Sequence, residues 1–72
     1  AFATVEQARS WFFAEIERED LDFVDNVRFA FADDAKEADE YESARNDGCC
    51  GFVDMEVKVD GRVYWMGCNY GH

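Results

Sequence analysis

Val53-Asp54-Met55-Glu56-Val57-Lys58-Val59-Asp60-Gly61-Arg62-Val63-Tyr64-Trp65-Met66 reads as two strands folded back on one another. Val53, Met55, Val57 and Val59 alternate with Asp54, Glu56 and Lys58, the period of a half-buried strand. Asp60-Gly61 is the dipeptide preferred in a two-residue type I′ turn. A turn of that length fixes the register. Val57 is expected opposite Tyr64, Met55 opposite Met66, and Val53 opposite Cys68. The other face pairs Lys58 with Val63 and Glu56 with Trp65. The first face is the core side. Trp65 and Phe52 then sit on the outer side, half covered by Lys58. Gly67 and Gly71 suggest a bulge or a ragged end.

Upstream of this hairpin lies Asp33–Asp47, with seven carboxylates against Lys36 and Arg45. Its apolar residues are three alanines and one tyrosine, so it can only rest lightly on a core built elsewhere. Asp33 or Asp34 is an N-cap candidate. Ala35, Ala38, Tyr41 and Ala44 recur every three residues, and Asn46-Asp47-Gly48 supplies a stop. The reading is a helix from about Ala35 to Arg45, against a mobile acidic loop. Further upstream, Val27, Phe29 and Phe31 alternate with Arg28, Ala30 and Ala32, a strand over Val27–Ala32. Phe23–Asn26 is a short helical turn or the beginning of that strand. Thr4 and Gln7 have capping-box spacing. Val5, Ala8, Phe12 and Ile16 then form one stripe at a period of 3.6, a helix from about Val5 to Glu19. The order is helix, strand, helix, strand, strand. It gives an α+β domain over residues 1–72: a three-stranded antiparallel sheet, made of the C-terminal hairpin plus one strand. The N-terminal helix covers one face of it, in two layers, with a short acidic second helix.

At 72 residues the chain buries only about 60% of the surface its unfolded form exposes. Seven Phe, three Tyr and two Trp supply the apolar payload of the core. The net charge is −10, and Glu15–Asp47 holds thirteen of the 17 acids against four bases. That balance disfavours direct binding of nucleic acid or an anionic membrane and favours a basic partner. No apolar run approaches the roughly 20 residues that span a bilayer. Three cysteines with no secretory signal suggest reduced thiols and a cytoplasmic setting, although one disulfide from Cys68 to Cys49 or Cys50 would help so small a core.

Catalysis has no motif to rest on. General acid–base work requires a specific carboxylate pair in a cleft, and the acids here crowd a surface helix and its flanks. There is no glycine-rich phosphate loop and no second histidine. Asp33, Asp34 and Glu37 lack the order of a calcium loop. Cys49, Cys50, Cys68 and His72 converge if the hairpin pairs as expected, and Cys68-x3-His72 suits zinc. Adjacent cysteines point apart, however, and small buried thiols at the open end of the hairpin are the simpler reading. The expectation is a non-enzyme without cofactors.

The acidic surface is the sharper candidate. Residues three or four apart on a helix are roughly 5–6 Å from each other, near the spacing of successive phosphates. Asp33, Asp34, Glu37, Asp39, Glu40 and Glu42 are the expected partner-binding residues of the second helix. Glu19, Asp20 and Asp22 form a second row at the end of the first, with Glu15 and Asp25 beside them. The competing reading is a solvated acidic surface, as in salt-adapted proteins, or a generic acidic interaction module.

In size, charge and architecture the chain resembles the small acidic anti-defence proteins that phages and mobile elements encode, in particular anti-CRISPR inhibitors that imitate DNA. The residues carrying this are the dense acids of Glu15–Asp25 and Asp33–Asp47, set beside an aromatic hairpin. The resemblance implies a target in the host cytoplasm: a basic DNA-binding subunit of a CRISPR effector complex, or a restriction enzyme. It implies blocking by competition, with a monomer expected over a dimer.

Overall fold

Thr4 begins the first helix as its spacing to Gln7 predicts. The structure is a computed structural model that describes residues 1–21, 23–47 and 51–71. In it the Gln7 N–H donates to the Thr4 hydroxyl at 3.2 Å, and the Thr4 N–H donates to the Gln7 side-chain oxygen at 3.3 Å. The helix, α1, spans Val5–Arg18, with Glu19 as its C-cap. Its stripe of Ala8, Phe12 and Ile16 is buried.

The sheet has three antiparallel strands in the order β1-β3-β2: β1 Phe23–Phe31, β2 Phe52–Val59 and β3 Arg62–Gly71. The hairpin register is the expected one, with Val57 opposite Tyr64, Met55 opposite Met66 and Val53 opposite Cys68. Asp60 and Gly61 both have positive φ, at 50° and 76°, as a type I′ turn requires. Successive side chains of β3 point to opposite faces. Tyr64, Met66 and Cys68 face α1 and join its stripe and Val59 in one buried cluster. Phe29 and Phe31 flank Tyr64 on that face.

The second helix, α2, spans Ala35–Asp47. The acidic segment is therefore a helix rather than a mobile loop. It lies on the face of the sheet away from α1: its one large apolar side chain, Tyr41, packs there, 5.5 Å from the Trp65 ring and 5.8 Å from the Phe52 ring. The molecule has a helix on each face of the sheet, not two layers. Tyr41 thus lies over Trp65 and Phe52 on the outer side of the hairpin.

Two further expectations shift. β1 begins four residues earlier than the alternation of Val27–Ala32 suggests. A break in pairing falls within it, between Asp25 and Arg28, so the extra residue is on β1, opposite the Gly67–Asn69 stretch of β3. Asn26 takes the left-handed conformation there, at φ 54°. This bulge scrambles the period of two and hides the first half of the strand from pattern reading. Gly67 is paired on both sides, with Arg28 at the end of that irregularity and with Asp54. A Cβ on it would meet the Tyr41 hydroxyl and the Phe52 ring. It borders the bulge and also permits this close approach of the helix. Among the described residues no helix is long and apolar enough to cross a membrane.

Candidate functional site

α2 is held down by polar contacts as much as by packing. At its start the Glu37 N–H donates to an Asp34 carboxylate oxygen at 3.1 Å, an N-terminal cap. Asp33, just before it, accepts a forked pair of bonds from Arg62 at 2.8 and 2.6 Å. This bidentate geometry is the strong form of an arginine–carboxylate contact. The Arg62 guanidinium also lies 3.7 Å from the centre of the Phe31 ring. Its hydrogen bonds hold the Asp33 carboxyl below the usual carboxylate range. Glu37 is exposed but reaches back to the sheet edge, where its carboxylate accepts the Phe31 backbone N–H at 2.9 Å.

In mid-helix, Tyr41 is 2% exposed and its hydroxyl donates to Asp54 on β2 at 2.7 Å. Burial, and then the hydrogen bond to Asp54, push its phenol well above the ordinary value. Arg45 lies 3.6 Å from Glu42 and 3.5 Å from Asp54.

Three of the nine expected partner-binding residues thus have structural roles: Asp33 and Glu37 tie α2 to the sheet, and Asp34 caps the helix. A helix turns about 100° per residue. With Tyr41 inward, this puts Asp39 near the outer crest and Glu40 and Glu42 on opposite flanks. The grooves beside the helix agree. Glu40 lines the one that includes Arg28 of β1, and Glu42 lines the one toward β2. Asp39 and Glu40 are exposed and have no ion pair among the described residues. The row expected along one side of the helix is therefore a fan of three carboxylates over its outer half.

The second row does not join it. Glu19 and Asp20 are exposed at the end of α1, on the other face of the sheet from α2. Glu15 there pairs with Arg18 at 3.0 Å. Asp25 accepts the Asn26 N–H at 2.8 Å. Asp22, Cys49, Cys50 and His72 lie outside the described residues. Cys68, the remaining member of the zinc set, is a buried free thiol on the α1 face, and burial pushes it up in pKa. Among the described residues no group of three or more His, Cys, Asp or Glu side chains is placed to hold a metal ion.

Sequence reasoning missed the groove between α2 and β2. It is an open hollow of about 180 Å³ lined by Tyr41, Glu42, Arg45, Asp54, Glu56 and Trp65. The Trp65 indole N–H donates to Glu56 at 3.1 Å. The hairpin register already placed Asp54, Glu56 and Trp65 on one face. What was missing was that α2 docks on that face and brings Glu42 and Arg45 to them.

Comparison with protein-family models, with curated proteins and with solved structures finds no match for this chain.

Proposed function

We propose that the protein is a non-enzymatic inhibitor that presents the outer half of α2 to a basic, DNA-recognising groove of a partner protein and excludes DNA by competition. The observation that carries this reading is the placement of Asp39, Glu40 and Glu42. They fan over a helix that Tyr41, Asp33 and Glu37 anchor to the sheet. Anchoring matters because fixed charges displace counterions from a cationic groove without first losing the entropy of ordering a loop. The reading rests on α2 alone, since Glu19 and Asp20 lie on the other face. Its natural partner class is a DNA-targeting defence complex of the host, a CRISPR effector or a restriction enzyme.

The test is a panel of such purified complexes, each assayed for duplex binding with and without the protein. One member should lose DNA in proportion to the inhibitor added, and less so as salt rises. The triple variant Asp39→Lys, Glu40→Lys, Glu42→Lys should restore DNA binding by that member while its melting stays close to the parent's. Glu37 is left intact because it holds the Phe31 N–H. A triple variant that inhibits as well as the parent removes the acidic helix from the mechanism. So does a panel in which no member releases DNA.

A further inference from the structure

We infer that the open edge of β2 takes an extended, basic segment of a partner as an added strand; the inference rests on the reading above that the partner is basic. The chain itself already uses this edge. Phe2 forms a parallel bridge with Val59: its N–H donates to the Lys58 carbonyl at 2.9 Å, and its carbonyl accepts from the Asp60 N–H at 2.9 Å. The Lys58 backbone therefore points away from β3. Backbone direction alternates along a strand, so the N–H and C=O groups of Asp54 and Glu56 point outward too. Among the described residues no backbone group bonds them.

The other edge of the sheet is closed to the same use. On β1, Asn26 breaks the pairing line in the left-handed conformation, and the Phe31 N–H is taken by Glu37. A bulge and a side-chain cap are common devices for blunting an edge. Among the described residues β2 has neither between Val53 and Val57.

The two faces flanking that open edge define what would fit. On the α2 side stand three carboxylates, Glu42, Asp54 and Glu56, with Arg45 shared between the first two. Hydrogen bonds from Tyr41 and Trp65 hold Asp54 and Glu56 in place. On the α1 side Val53, Met55 and Val57 are half-buried. An added strand alternates its side chains between these faces. Its recognisable pattern is Lys or Arg at every second position, with apolar residues between. Main-chain bonds would supply affinity and the two faces the specificity.

The probe is an end-capped Lys-Val-Lys-Val-Lys-Val peptide added to the full chain, with amide hydrogen exchange as the readout. A copy with alternate backbone nitrogens methylated keeps the charges but cannot pair as a strand. The plain peptide should slow exchange at Asp54 and Glu56 by about tenfold or more. The methylated copy should not, and Glu56→Lys should weaken binding by about fivefold or more. The double variant Asp39→Lys, Glu40→Lys, which leaves Glu42 in place, should still bind, which separates this edge from the outer helix surface. Protection on α2 or β1 instead, equal binding of the methylated copy, or no binding of either peptide overturns the inference. Protection at Asp54 and Glu56 in a protein that displaces DNA from no nuclease would keep the strand site and remove the DNA-mimic reading.

Discussion

The two helices lie on opposite faces of the same sheet and are attached by different physics. α1 buries Ala8, Phe12 and Ile16 against Tyr64, Met66 and Cys68. α2 buries one large side chain, Tyr41, and adds Arg62–Asp33, the Phe31–Glu37 bond and Tyr41–Asp54. Apolar burial is non-directional and roughly proportional to area, so it settles where α1 lies but leaves little of it for display. Directional contacts through a few residues hold α2 at a smaller interface. That leaves most of its surface free to be charged. The contrast teaches that a helix unable to contribute much to the core can still be fixed, provided that a few polar groups are spent on anchoring it.

The largest expected effect breaks the apolar side. Phe12 is fully buried, with Phe13 and Phe29 edge-on to its ring. Phe12→Ala should cost about 3–5 kcal/mol, the range for aromatic truncation in a core. For so small a domain that is much of the total stability. Urea unfolding by circular dichroism checks it. A loss no larger than that of a surface substitution would mean that α1 is not what closes the core.

A smaller effect probes the polar side from beneath. A Cβ at Gly67 would run into the Tyr41 hydroxyl and the Phe52 ring. Gly67→Ala should therefore lift Tyr41 off the sheet and lengthen its bond to Asp54. Overpacking of this kind costs typically 1–3 kcal/mol. Amide shifts should move in α2, Phe52 and Trp65 while those of Ala8, Phe12 and Ile16 stay in place. Equal disturbance on both faces would show that the two attachments are not independent.

What pattern reading could reach follows the same division. The α1 stripe, the capping box at Thr4 and the register set by Asp60-Gly61 all rest on local periodicity, and each is found as expected. The face to which α2 docks rests on contacts between residues far apart in sequence. Nothing local in Ala35, Ala38, Tyr41 and Ala44 says which side of the sheet they meet. Asp34 was legible as an N-cap candidate, and it caps the helix. The roles of Asp33 and Glu37 were hidden for the same reason as the docking face. As letters they are two more acids in a charged run, and only their distances to Arg62 and to the Phe31 N–H reveal them as anchors. Gly67 shows the reverse case: a signal was visible, but a bulge and a close contact call for the same residue.

The smallest effect concerns Asp33 and is set by pH. Hydrogen bonding to Arg62 holds its carboxyl below the ordinary value of 3.8 in the folded state. The unfolded chain therefore takes up that proton first as pH falls. The sign follows from linkage: the stabilisation is complete above the ordinary carboxylate value and is lost as pH falls through the lowered one. Asp33→Asn removes the charge and keeps the shape. The parent should melt slightly above the variant at pH 7 in low salt. The gap should narrow in 1 M salt, because the pair is exposed and screened, and close as the pH drops below about 4. A gap that persists in acid would mean that Asp33 acts through the geometry of its side chain rather than its charge. The anchoring of α2 would then be closer in kind to that of α1 than the ion pair with Arg62 implies.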